Sequence, residues 1–290
     1  METSIITVAN QKGGVGKTTT VVNLASAYAQ TDKRVLVVDM DYQGNATSLL
    51  GIDSEQLDPK KTIPYALEND LTLADIRLPT NVPGVDLLAS TRGLDALRDK
   101  FQGQPNQFKL VELLLECDER EEYDVIIIDT HPSLDCFFQS AMAASHYYLI
   151  PLFAEADPSR GLGHMVTAVE KIRRYLNPML TFLGCVITRF DKSNATHAKF
   201  ESVIRESSKG AKFHVFNTMI PASNTVAAAS AQSLPLSKYK KSAPASIAYA
   251  TLAGEILPIL KGKRTGRKMA PNNVAILDAA MTDLDGTVEL

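Results

Sequence analysis

The stretch Gln11-Lys12-Gly13-Gly14-Val15-Gly16-Lys17-Thr18-Thr19 directly follows the apolar run Ile5-Ile6-Thr7-Val8-Ala9, and its residue types suit the holding of a polyphosphate. Without Cβ, Gly13, Gly14 and Gly16 let the backbone curl with its N–H groups turned toward an anion. A helix beginning near Lys17 adds the positive end of its dipole. In this reading Lys17 reaches the β- and γ-phosphates, the Thr18 hydroxyl binds Mg²⁺, and Val15 and Thr19 complete the loop. The general phosphate-loop pattern has its first glycine where this chain has Gln11, and a second lysine, Lys12, stands before the glycine pair instead.

Two acidic segments could complete a phosphoryl-transfer site. Val35-Leu36-Val37-Val38 runs into Asp39-Met40-Asp41-Tyr42-Gln43-Gly44-Asn45. Acids at the C-terminal end of a parallel strand lie on the edge where open α/β sheets bind ligands, although a turn with a helix cap fits this segment equally on local grounds. Val125-Ile126-Ile127-Ile128 runs into Asp129-Thr130-His131-Pro132-Ser133-Leu134 and reads as a buried central strand with an acid at its tip. Asp129 would take a Mg²⁺ position through water. Histidine as a residue type admits a catalytic or pH-sensing role for His131, beside the plainer one of a tolerated loop residue.

The elements that must position these groups follow from hydrophobic periodicity. Val21, Val22, Leu24, Ala25 and Tyr28 recur at helical spacing before the Val35 run, which makes a strand, helix, buried strand unit. Residues 51–83 hold Pro59, Pro64, Pro79 and Pro83 and read as short helices and loops. Val85-Asp86-Leu87-Leu88 reads as a strand, Leu94 to Phe101 and Lys109 to Leu115 as helices, and Asp118 to Glu122 as a solvated end. Further strands are expected over 144–151, 182–188 and 215–220, with helices over 161–175 and about 245–257. The expected fold is α/β: a doubly wound, mainly parallel sheet of seven or eight strands, with helices on both faces.

A chain of 290 residues with 45% hydrophobic content can bury a full core, and one large domain is favoured over two small ones. A net charge of -3 supplies no global basic field, so nucleic-acid contact would need local patches. The three cysteines, Cys117, Cys136 and Cys185, form no CxxC pair, which argues for core packing over zinc or redox chemistry. No apolar run approaches the roughly 18 residues of a membrane span, and the first strand begins almost at once. The expectation is a soluble cytoplasmic protein without signal peptide or N-terminal helix-turn-helix domain.

The form Lys-Gly-Gly-x-Gly-Lys-Thr-Thr resembles the deviant Walker A motif of the ParA/MinD family of dimeric P-loop ATPases, with the ParA (Soj-like) partition ATPases the nearest match. In that family the extra lysine reaches across a dimer interface to the partner's nucleotide, which implies that role for Lys12. Asp-x-Asp-x-Gln-Gly-Asn resembles the family's switch I, where Pro commonly stands at the position of Tyr42. The match implies that Asp41 orients or activates the attacking water and helps hold Mg²⁺ through water, with Asp39 in support. The strand ending in Asp129 resembles a Walker B strand, and switch II follows with His131 in place of the first Pro.

This resemblance covers about residues 4 to 260. It implies an ATPase domain over 1–262 followed by a C-terminal tail, 263–290, and ATP and Mg²⁺ as cofactors. Arg189 and Pro221 would lie near the base, and the segment Glu155 to Leu162 near the dimer interface, with Arg160 free to contact phosphate, a partner or solvent. The implied activity is slow, Mg-dependent hydrolysis by a homodimer formed on ATP, stimulated by a ParB-like or other adaptor. The dimer would bind nucleoid DNA non-specifically and segregate or position a plasmid, a chromosome or a protein assembly.

Family members that coat DNA use arginines after the last two strands, and here the second matching segment, Pro221 to Val226, carries none, while the first contains Lys192. Basic residues gather instead at Lys238, Lys240 and Lys241, and at Lys261, Lys263, Arg264, Arg267 and Lys268. Such patches could neutralise a few phosphates, doubled in a dimer, or could simply solubilise helix ends. Ala270 to Leu290 carries Asp278, Asp283, Asp285 and Glu289 and lacks the basic face of a membrane-surface helix, which argues against a MinD-like membrane-cycling regulator. Two further rivals are a nitrogenase-iron-protein-like carrier ATPase, for which only Cys136 lies near switch II, and a metabolic P-loop ligase.

Overall fold

A computed structural model describes residues 3–101, 108–120, 123–154, 158–211 and 213–262. Seven strands form one sheet: β1 Ser4–Val8, β2 Val35–Met40, β3 Leu78–Pro79, β4 Val85–Leu88, β5 Val125–Thr130, β6 Tyr147–Phe153 and β7 Thr181–Thr188. Their order is β3-β4-β2-β5-β1-β6-β7, with every pair parallel except the edge pair β3 and β4. The described helices are α1 Lys17–Ala29, α2 Asn45–Leu49, α3 Ile63–Asn69, α4 Leu73–Ile76, α5 Gly93–Phe101, α6 Lys109–Arg120, α7 Cys136–Ala144, α8 Pro158–Tyr175, α9 Ala195–Ala211, α10 Asn224–Ala231, α11 Leu236–Lys240 and α12 Pro244–Gly262.

The central strands are apolar on both faces because both faces are covered. Ile6, Val8, Val35, Val37 and Ile127 pack under α1 and α12. Their neighbours Ile5, Leu36, Val38, Ile126 and Ile128 point the other way, toward α3, α5, α6 and α7. On that second face α8 and α9 continue the cover over Tyr148, Ile150, Cys185 and Ile187 of β6 and β7. Among the described residues no helix is long and apolar enough to cross a membrane.

Register prepares the site. Val8 of β1 and Asp39 of β2 both align with Asp129 of β5, so three strand exits reach the same level at one edge of the sheet. The chain reaches β6 and β7 on the far side of β1 only after β5, which makes the exit of β1 the switch point where open α/β sheets bind ligands.

The structure corrects several expectations. No eighth strand forms over 215–220; Val215 and Pro221 make only isolated parallel bridges to Cys185 and Phe190. Phe216 and Ile220 still donate to the Cys185 and Ile187 carbonyls of β7 at 2.9 and 2.8 Å, but between them the Thr218 amide donates to the Glu255 carboxylate of α12 at 3.0 Å, as does the Asn217 amide. A carboxylate 37 residues away thus takes the one donor between these two bonds and interrupts the ladder. The strand expected from Ala144 begins at Tyr147, because Ala144 closes α7. That helix is buried on every side, so it shows no amphipathic period, and its start is set by Asp135 accepting from the amides of Phe137 and Phe138 at 3.1 Å. Helices α9, α10 and α11 and strand β3 also go beyond the elements expected.

Gly184 marks a bend of β7, where the pairing with β6 slips by one residue. Its φ is 138°, and a Cβ there would stand 2.7 Å from the carbonyl oxygen of His214. Gly184→Ala is expected to cost about 2–4 kcal/mol, read as a lower urea midpoint. A wild-type midpoint would show that the 214 segment gives way without penalty.

Candidate functional site

The loop between β1 and α1 turns on two left-handed residues, Gly14 at φ 73° and Gly16 at φ 85°. A Cβ at Gly13 or Gly14 would meet nothing within 4 Å, and both residues border open space. The other side is pinned. The Thr188 hydroxyl lies 2.8 Å from the Val15 carbonyl oxygen and 3.2 Å from that of Leu152. Asn10 donates to the Pro151 carbonyl at 2.7 Å and accepts the Lys12 amide at 2.9 Å. Neither Asn10 nor Thr188 stands out in the sequence.

Lys17, in the first turn of α1, is buried, and its Nζ donates to the Lys12 carbonyl at 3.3 Å. Burial holds its ammonium below the usual lysine value, while Asp129 and Asp41 pull the other way. Lys12 itself is exposed.

The three acids differ in their surroundings. Asp39 is fully buried and saturated: Oδ1 accepts the Asp41 amide at 3.1 Å, and Oδ2 accepts the Thr47 amide and hydroxyl at 2.8 and 2.7 Å. Burial lifts its carboxyl to about 6 against those hydrogen bonds. Asp41 takes the Gln43 amide on Oδ1 at 2.9 Å, which forms a tight turn at the exit of β2.

Asp129 is also fully buried, yet neither of its oxygens has a hydrogen-bond partner. Burial and then the neighbouring Asp39 push it well above the carboxylate range; the Thr18 hydroxyl and Lys17 oppose this, the hydroxyl without closing a bond of good geometry. A buried carboxylate without donors is costly unless a cation or water completes it. Asp129, Thr18 and Asp41 form an oxygen donor set that fits Mg²⁺. Among the described residues no three His, Cys, Asp or Glu side chains form a cage, so such an ion would complete its shell with phosphate oxygens and water.

One open cleft of about 550 Å³ is lined by Gly13, Gly14, Gly16, Lys17, Thr18, Thr19 and Asp41, with the buried Asp39 and Asp129 behind its wall. The walls also include residues for which sequence reasoning proposed no role: Gln43 and Asn45, visible within the Asp-x-Asp-x-Gln-Gly-Asn motif, and Ser48, Leu49, Pro132 and Ser230. Ser230 comes from α10 and carries no local signal.

Other expected residues lie apart from this cleft. Arg189, exposed and left-handed at φ 52°, holds its guanidinium 4.4 Å over the Phe153 ring. Pro221 lies next to it through the bridge to Phe190. Lys192 is exposed in the turn after β7. Lys238 donates to the Asn81 carbonyl, and Lys240 and Lys241 are exposed at the end of α11. The Arg160 and Lys261 side chains, residues 155–157, and the tail 263–290 with Lys263, Arg264, Arg267 and Lys268 lie outside the described residues.

A family model described as an AAA domain matches residues 3–182, more than half of the chain. The chromosome partitioning protein ParA of Myxococcus xanthus is 34% identical over 268 residues, covering 92% of each chain. The chromosome-partitioning ATPase Soj of Thermus thermophilus is 34% identical over 252 residues, covering 87% of this chain and 94% of its own. Among solved structures, the cobyrinic acid a,c-diamide synthase of Mycobacterium smegmatis with bound ADP and magnesium superposes with a TM-score of 0.76 at 27% identity, covering 93% of this chain and 100% of that one. The pinned glycine loop, the acids at neighbouring strand exits and these likenesses agree, and the chain belongs to the ParA/MinD family of P-loop ATPases.

Proposed function

We propose that this chain is a Mg²⁺-dependent ATPase that closes into a homodimer on ATP and uses the dimer to partition or position a cargo. The observation that carries this reading is that Lys17, Thr18 and Asp41 line one open glycine-loop cleft while the partnerless, buried Asp129 lies within electrostatic reach of all three. Partition proteins among its relatives, and a structural neighbour holding ADP and magnesium, support it.

Amides from Gly13 to Thr19 and the Lys17 ammonium bind the phosphates, while Arg189 and Pro221 flank the base. Thr18, Asp41 and Asp129 would hold Mg²⁺, which when bound would neutralise charge on the phosphate oxygens and favour the ionised carboxylate of Asp129. Asp41, with Oδ1 engaged by the Gln43 amide, keeps Oδ2 to orient the attacking water and accept its proton. Lys12, exposed at the rim on a backbone fixed by Asn10, reaches the partner's nucleotide.

The working unit is residues 1–262, to which the tail is appended. DNA contact falls to Lys192, Lys238, Lys240 and Lys241, with the basic cluster from Lys261 to Lys268 in support. A ParB-like adaptor stimulates slow hydrolysis and releases the dimer in the cytoplasm at the nucleoid. An iron-carrier role fits poorly with Cys136, a buried thiol pushed up to about 11 by burial, whose Sγ lies 3.7 Å from the Arg98 carbonyl oxygen.

The likeness to the diamide synthase favours a second reading, an ATP-using small-molecule ligase. Light scattering separates the two. The wild-type protein is expected to double in mass with ATP and to shift non-specific duplex DNA with ATP but not ADP, and Lys12→Ala is expected to do neither. A Lys12→Ala dimer would remove that lysine from the interface, and a wild-type monomer that ignores DNA would favour the ligase.

A further inference from the structure

The ladder between β2 and β5 ends at the pair Met40 and Thr130. The two chains continue as the loops that carry Asp41 and follow Asp129, and no backbone pairing joins them beyond that point. A ring contact does: Tyr42 and His131 stand with centroids 4.3 Å apart at 39°. Tyr42 is half-buried against the core cluster that includes Val38 and Met40, and His131 and Asp41 both line the nucleotide cleft. His131 Nδ1 is buried and makes no hydrogen bond, so the inward side of the imidazole acts through packing.

We propose that the Tyr42–His131 ring pair is a clasp that ties the two loops together and so positions Asp41 over the cleft. It deepens, and rests on, the ATPase reading above. Both rings are positioning residues: Tyr42 adjoins Asp41 in the chain, and a turn closed by the Gln43 and Gly44 amides onto Asp41 transmits any movement of Tyr42 to the carboxylate.

An aromatic contact of this geometry corresponds to about a three- to tenfold change in an equilibrium or a rate. In nucleotide-free protein, His131→Ala and Tyr42→Ala are each expected to speed amide exchange over residues 41–45 by about that factor. In turnover assays each lowers kcat by about the same factor with ATP affinity within about twofold, and the double variant is no worse than the slower single. His131→Phe, which keeps a ring and removes the partnerless nitrogen, is expected to restore both exchange and kcat.

Unchanged exchange in His131→Ala overturns the clasp. So do multiplicative single effects, or a His131→Phe variant as impaired as His131→Ala, which would assign the role to the ring nitrogen. Exchange is read without nucleotide, so a wild-type protein that hydrolyses no ATP would sink the ATPase reading while the clasp still stands or falls on exchange.

Discussion

Lys17→Ala is expected to lower ATP affinity by about 30- to 4,000-fold, because truncating one member of a buried, hydrogen-bonded charge set costs about 2–5 kcal/mol. Lys17 is buried at the base of the glycine loop, with Asp129 and Asp41 as its charge neighbours and, among the described residues, only the Lys12 carbonyl as its hydrogen-bond acceptor. An ammonium so placed is desolvated and short of acceptors until phosphate oxygens arrive. Its removal also leaves Asp129 without the nearby cation that favours its ionised form. Titration with a fluorescent ATP analogue measures the loss, and circular dichroism checks that the variant is folded. Affinity within about twofold of wild type would remove Lys17, and with it the phosphate-loop assignment.

The second large effect falls on rate. Asp41→Asn is expected to reduce kcat by about 100- to 10,000-fold, the usual worth of a positioned proton acceptor, with ATP affinity little changed. Asparagine keeps an oxygen for the Gln43 amide, so the turn at the exit of β2 survives while the proton acceptor is lost. The ATP-bound dimer should then persist where the wild type returns to monomer, which light scattering over time detects. Wild-type turnover in Asp41→Asn would take Asp41 out of the chemistry. Asp39 offers a contrast: both of its oxygens are engaged by Thr47 and the Asp41 amide, so it holds the loop.

Both effects depend on one arrangement. The exits of β1, β2 and β5 lie level because Val8 and Asp39 align with Asp129 across adjacent parallel strands. A slip of one residue in either pairing would turn the acid to the opposite face of the sheet.

Much of this is local in the chain and therefore legible in it. A strand, a glycine turn and a helix beginning at Lys17 are specified within residues 4 to 29, since both the conformations and the anion-binding groups belong to neighbouring residues. The apolar runs into Asp39 and Asp129 likewise announce buried parallel strands with acids at their tips.

What the residues alone determined is thus the chemistry available and the strands that carry it. Tertiary structure decided which of these groups meet. The strand order and register brought the acids level; Asn10 and Thr188 tied the glycine loop to β6 and β7; Glu255 took the Thr218 amide that would have continued an eighth strand; and Tyr42 met His131 beyond the last rung of the β2 and β5 ladder. Each is a contact between residues 37 to 173 positions apart where a hydrogen bond spans it, and such a pairing leaves no period, cap or turn signal in the segments it joins.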